Sequence, residues 1–194
     1  FCFAPHAPYT VNDRNFTKTL TFAEQCELPI HIHLHETKQE IEDSLKQFGI
    51  RPIERLHRLG LLSPGLIAAH GVHLNTEEIA VLAQHGCSIA HCPSSNLKLA
   101  SGISPVAELV KNGVNIGLGT DGAASNNRLD LFQEMRLAAL LGKGHSGKAD
   151  VIDAHQAIHM ATLGGAQALG LDTEIGSISI GKAADLCAVN VNDV

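Results

Sequence analysis

Pro29-Ile30-His31-Ile32-His33-Leu34-His35-Glu36-Thr37 is the stretch on which the reading of this chain turns. Apolar residues alternate with histidine along it, the pattern of a buried β-strand. Side chains two apart on a strand share a face. The three histidines are therefore expected to lean one way, with the Glu36 carboxyl just past the strand end. A lone histidine of this kind is more often a satisfied core residue. Three beside a glutamate, with further His and Asp signals downstream, point to a metal or acid–base site.

A regular rhythm surrounds that strand. A short strand over residues 1–4 closes on Pro5-His6-Ala7-Pro8, and a helix is expected over 15–27. After the His-rich strand, a charged amphipathic helix over 38–48 ends at Gly49, and 53–59 continues helically. Strands are expected over 66–70, 88–91 and 114–118. Between and after them come helices over 76–85 (Thr76 as N-cap), 105–112, 129–141 and 151–168, the last broken near Gly164-Gly165. Two final short strands are expected over 177–180 and 186–191. Strands alternating with helices across short links read as parallel βα units. Strands apolar on both faces fit a sheet covered by helices.

Each of the inner strands ends in a polar cluster: His33-Leu34-His35-Glu36, His70-Gly71-Val72-His73, His91-Cys92-Pro93-Ser94, and Thr120-Asp121-Gly122. Carboxyl ends of parallel strands converge on one mouth, where (β/α)8 barrels keep their chemistry. A doubly wound sheet would put its site there too, but no GxGxxG follows any strand. His33, His70 and Asp121 are the core candidates. Imidazole and carboxylate are the usual N/O ligands of zinc, iron or manganese. A catalytic metal keeps a position open for water and lowers its pKa to about 7. Glu36 is placed to hold a carboxyl over that water without ligating. Taken singly, Asp121 reads equally as an Asx turn with Gly122, and His70 as a packed histidine before a flexible glycine. Four such endings on consecutive strands outweigh those readings.

Bulk properties narrow the class. The 194 residues suffice for one domain with a core; 44% are hydrophobic and 18% charged, a globular composition. No run approaches the roughly 20 apolar residues of a membrane span. A net charge of -6 disfavours nucleic acid as a partner. The five cysteines show no CxxC pairing or framework spacing, which suits a reducing cytoplasm.

Several stretches together resemble the amidohydrolase superfamily, in the branch holding 5′-methylthioadenosine/S-adenosylhomocysteine deaminases and s-triazine hydrolases. They are Ala4-Pro5-His6-Ala7-Pro8-Tyr9-Thr10, His33-Leu34-His35-Glu36-Thr37, Ala69-His70-Gly71-Val72-His73-Leu74, His91-Cys92-Pro93-Ser94-Ser95-Asn96-Leu97-Lys98-Leu99 and Gly119-Thr120-Asp121-Gly122-Ala123-Ala124-Ser125-Asn126-Asn127. The tail 176–186 is typical as well. The resemblance implies an α/β fold: about strands four to eight of a metal-dependent (β/α)8 barrel over residues 1–172, with β-sandwich strands over 173–194. It implies His33 and Asp121 as metal ligands, with Asp121 also moving a proton and contacting substrate. It implies Glu36 as the residue that protonates and binds the substrate ring, His70 as the one that orients the hydrolytic water, and His6 as a substrate contact. Ser95 and Asn96 would line the pocket. The expected cofactor is zinc, with iron or manganese as alternatives, one divalent ion per complete site. The implied reaction is hydrolytic deamination of an adenine-type nucleoside, releasing ammonia; the alternative is a triazine or guanine-type amidohydrolase.

The chain also departs from that pattern. Two further metal ligands are expected from an H-x-H at the end of the first barrel strand, and no stretch here fills that place. His31, His33 and His35 mimic it, but the order of the downstream motifs makes theirs the fifth strand. The chain is therefore expected to be part of a longer protein and to hold half of the metal site. An inactive fragment is the third reading. Open sheet edges favour a homo-oligomer.

Overall fold

The computed structural model describes residues 1–190. Four parallel strands, β1 (Ile30–Leu34), β2 (Leu66–His70), β3 (Ser88–His91) and β4 (Asn115–Leu118), lie in the order β1-β2-β3-β4. Sequential order with no reversal is that of a barrel arc; a doubly wound sheet changes direction at a switch point. The segment before β1 runs alongside it. Phe3 bridges to Ile30 in parallel, Phe3 N donates to Pro29 O, His31 N to Phe3 O, and His33 N to His6 O. The expected first strand is thus a single bridge that places His6 beside His33.

Helices fill the crossovers. In chain order they are α1 (Asp13–Cys26), α2 (Lys38–Phe48), α3 (Pro52–Arg58), α4 (Thr76–Gln84), α5 (Pro93–Lys98), α6 (Val106–Lys111), α7 (Ala123–Asn126), α8 (Leu131–Ser146), α9 (Ala154–Ala161) and α10 (Leu163–Ala168). Their starts follow from short polar side chains. Asn12 accepts from Asn15 N, Thr37 from Glu40 N, and Asp153 from Gln156 N. The N-cap of α4 is Asn75, not Thr76: its side chain accepts from Glu78 N while Glu78 returns a bond to Asn75 N, a capping box. The polar stretch after β3 also forms a short helix, α5, for which no expectation was stated.

The core sits between sheet and helices, with Phe16, Ile32, Leu34, Leu56, Leu66, Leu82, Ile89 and Leu109 almost wholly buried. β1 corrects one expectation: it alternates, with Ile30, Ile32 and Leu34 buried and His31 and His33 half-buried. Only one of its faces is packed by helices. Arg55 fastens the segment carrying His6. Its guanidinium, buried, donates to Pro8 O (2.6 Å), Val11 O (3.0 Å) and Asp13 Oδ1 (2.7 Å) and lies 4.0 Å from the Phe48 ring centre.

Two C-terminal expectations change. The long helix over 151–168 breaks at Thr162, while Gly164 and Gly165 lie inside α10, where the lack of a side chain at Gly164, and at Gly117 across from it, lets backbone meet β4. The strands expected over 177–180 and 186–191 do not form among the described residues; 191–194 lie outside them. Ile178, Ile180 and Leu186 are exposed, and no described strand lies beside them to satisfy a ladder.

Candidate active site

Three strand ends share an unusual backbone state. His35, His70 and Asp121, closing β1, β2 and β4, have φ of 55°, 75° and 57°. This left-handed region costs a side-chain-bearing residue on the order of 1 kcal/mol, and His and Asp are among the residues that tolerate it best. Such strain concentrates at functional sites, and here it re-aims each chain as it leaves the sheet.

The rings of His6, His33 and His70 form a row. Their centres are 5.1 Å apart for His6 and His33 and 5.4 Å for His33 and His70. Carbonyl oxygen only accepts, so the 2.8 Å contact of His33 Nδ1 with His6 O places the proton on Nδ1. The Nε2 lone pair of His33 is then left for an ion, the arrangement typical of a metal-binding histidine. His70 is buried; its Nδ1 donates to Asn96 Oδ1 (2.9 Å), and its Nε2 lies 3.9 Å from Glu36 Oε2. His6 Nδ1 pairs with Thr10 Oγ1 at 2.8 Å.

His35 leaves this group. It is wholly buried, its Nδ1 donates to His73 O (3.1 Å), and its Nε2 accepts from Ile53 N (3.2 Å). Both nitrogens are used, and burial pushes its pKa down to about 4, so it stays neutral as a structural bridge between loops. The three histidines therefore do not act as a set: strand periodicity holds for His31 and His33 and ends at the left-handed turn of His35.

Asp121 is held by hydroxyls. Oδ2 accepts from Ser95 Oγ and Ser125 Oγ, both at 2.7 Å, and Oδ1 accepts from Gly122 N at 2.7 Å. The Asp-Gly turn and the functional reading coexist in this geometry. Burial by itself would raise the Asp121 pKa. The hydrogen bonds from Ser95, Ser125 and Gly122 N, with His70 nearby, outweigh it and hold the carboxyl below its ordinary value.

Two buried carboxylates escaped the sequence reading. Glu40 accepts from His35 N (2.9 Å) and Glu36 N (2.8 Å). Glu134, on α8, accepts from Ser94 N (3.0 Å) and Asn126 Nδ2 (2.9 Å), tying the loops after β3 and β4 together. A Thr-x-x-Glu signal at Thr37 and Glu40 was available for the first; inside an amphipathic helix, nothing marked the second.

The donor chemistry suits a divalent metal in kind but not in number. His33 Nε2 and the Asp121 carboxylate could serve as ligands. Among the described residues, however, no three His, Cys, Asp or Glu side chains converge to hold an ion, and zinc sites take three or four protein ligands.

His91, beside this group, is buried with neither ring nitrogen hydrogen-bonded. Burial, helped by His70, lowers its pKa from 6.5 to about 4. The folded state thus resists a proton that the unfolded chain accepts. The stability this contributes is complete above pH 6.5 and is lost as pH falls through 4, about 3 kcal/mol in all. His91→Leu should remove that dependence, since an apolar side chain of similar size leaves no nitrogen unpaired. Denaturant unfolding at pH 7 and pH 4 tests this: the wild type should lose about 3 kcal/mol more than the variant. Parallel losses would rule His91 out as the source.

The parallel strands of this barrel arc bring His, Glu and Asp side chains to one mouth. The amidohydrolase family profile matches residues 2–193, and the chain belongs to that family. It is 52% identical over 192 residues to the 5-methylthioadenosine/S-adenosylhomocysteine deaminase of Teredinibacter turnerae, covering 99% of this chain and 43% of that protein. An adenosine deaminase from Xanthomonas campestris with bound zinc superposes with a TM-score of 0.94 at 53% identity, over 95% of this chain and 42% of the other. The zinc complex of atrazine chlorohydrolase from Arthrobacter aurescens gives 0.84 at 30% identity, over 89% and 38%. The chain spans less than half the length of the curated relatives it matches. Among the described residues no helix is long and apolar enough to cross a membrane.

Proposed function

We propose that this chain serves hydrolytic deamination of an adenine-type nucleoside of the 5′-methylthioadenosine/S-adenosylhomocysteine kind, with release of ammonia. The observation that carries the reading is the row His6–His33–His70 with the Glu36 carboxyl 3.9 Å from His70 Nε2, all at the mouth of the arc. His33 and Asp121 would be the ligands this chain contributes to a divalent ion, zinc by analogy with the zinc-bound neighbours. When bound, such an ion supplies an acidified water as nucleophile at neutral pH. The chain's own residues then handle protons. Asp121, kept ionised by its hydroxyl donors, takes the proton of the attacking water. His70, its Nδ1 fixed by Asn96, orients that water through Nε2. Glu36 gives a proton to the ring nitrogen next to the amine-bearing carbon and so makes that carbon electrophilic. His6 contacts the substrate from the adjacent segment.

In this reading residues 1–172 are barrel and 173–194 belong to the small β-sandwich domain. The five cysteines are free, in keeping with a cytoplasmic home. Among the described residues no strand pairs with the outer edge of β4, which favours closure by further strands or a homo-oligomer.

The second reading, a triazine or guanine-type hydrolase, draws support from the chlorohydrolase and guanine deaminase neighbours at about 30% identity. A panel of methylthioadenosine, adenosylhomocysteine, guanine and a chlorotriazine, assayed with the whole enzyme, separates the two. Ammonia should come from the two adenosine compounds at rates at least 100-fold above guanine, a gap that a hydrogen-bonding site readily achieves. Chloride release from the triazine as the dominant activity would overturn the proposal.

A further inference from the structure

We propose that Glu40 is a positioning residue for Glu36. The proposal rests on the role given to Glu36 above. At the end of β1 the chain turns left-handed at His35, and the N–H groups of His35 and Glu36 leave the sheet without a ladder partner. Glu40 takes both, Oε1 from His35 N at 2.9 Å and Oε2 from Glu36 N at 2.8 Å. Its own N–H is bonded to Thr37 Oγ1, the N-cap, and its carboxylate rises from the first turn of α2. Glu40 is buried and forms no salt bridge among the described residues; Arg51 acts on it only at a distance and is itself paired with Glu78. Burying an acid without a salt-bridge partner in contact is unfavourable, and burial indeed pushes the Glu40 pKa up to about 7. A carboxylate kept in that setting does work that a neutral side chain would not: it clamps the backbone on both sides of the peptide bond leading into Glu36. The Glu36 side chain, only loosely held by Ser101 Oγ at 3.5 Å, then takes its aim from its backbone.

The whole enzyme provides the test, through kcat, KM and bound metal for five variants. In Glu40→Gln one clamped N–H faces an amide NH2 instead of an oxygen. Its kcat should fall about 10- to 100-fold, with KM and metal content unchanged, as expected when a reacting group is misplaced by about 1 Å. Glu40→Asp, the gentler change, keeps the charge but falls one methylene short, and should lose less. Thr37→Ala removes the N-cap of the same helix and leaves the clamp, so it should lower Tm by a few degrees with kcat within about 2-fold. In a Glu36→Gln background, adding Glu40→Gln should slow the residual rate no further, because residues acting as one unit are not additive. Wild-type kcat in Glu40→Gln, or an equal loss in Thr37→Ala, overturns the inference while leaving the function intact. Full turnover in Glu36→Gln overturns both.

Discussion

Glu36→Gln in the whole enzyme should lower kcat by roughly 10²- to 10⁴-fold while leaving the bound metal in place. Glutamine preserves the volume and the capacity to hydrogen-bond, so the site should assemble as before. What it removes is the exchangeable proton. Glu36 lies past the end of β1, with side-chain exposure of 15% and Oε2 3.9 Å from His70 Nε2. It is thus reachable by substrate, and the proposal above leaves it outside the metal ligands. If Glu36 were a ligand, the variant would lose metal and activity together. If it were only structural, Tm would drop and kcat would survive. Elemental analysis beside steady-state kinetics separates the three cases, and undiminished turnover would remove Glu36 from the mechanism. KM should change little, because a proton delivered in the transition state contributes to kcat rather than to ground-state binding.

The candidate site could be read from the sequence only as residue types expected at strand ends. His33, Glu36, His70 and Asp121 each follow an apolar run, and parallel strands bring such ends together whatever the connecting helices contain. Asn96 and Ser95 were expected to line the pocket, and the bonds they make to His70 and Asp121 were not foreseen. That Asn96 bonds His70 and Ser95 bonds Asp121 depends on how the loop after β3 folds into α5, which propensity did not reveal. Periodicity also overreached. It put His35 with His31 and His33, because alternation in a sequence does not show where a strand stops and the backbone turns left-handed. The tail failed for a different reason. Ile178, Ile180 and Leu186 have the composition of strand residues, but a strand exists only beside a partner, and none of the described strands reaches them. Glu40 and Glu134 were missed because burial of a carboxylate comes from what surrounds it in space, and a helix sequence does not show which acid faces inward.

Gly164→Ala should destabilise the protein by about 2–4 kcal/mol, although helix propensity taken alone predicts the opposite sign. Gly164 is in α10 with an ordinary negative φ, a place where alanine is worth about 1 kcal/mol over glycine. Space decides against it. A Cβ there would sit 2.4 Å from Ile116 O on β4 and 3.2 Å from His159 O, both backbone atoms that cannot rotate away. One turn of the same contact repeats the problem: a Cβ on Gly117 would meet Gly165 Cα at 2.9 Å. Helix and strand approach backbone to backbone, so relief requires moving α10 off β4 by about 1 Å, and overpacking of that kind costs 1–3 kcal/mol or more. The shift would also loosen the bond from Asn115 Nδ2 to Gly164 O at 3.0 Å. β4 leads directly to Asp121, so a displaced strand should also lower activity in whatever protein remains folded. Gly144→Ala on α8 is the matched control. Nothing lies within 4 Å of its Cβ, so propensity alone acts there, and the change should be neutral or stabilising by up to about 1 kcal/mol. Urea unfolding of the two variants should therefore move the midpoint in opposite directions. Equal, small shifts would mean that the close contact between α10 and β4 carries no weight in the fold.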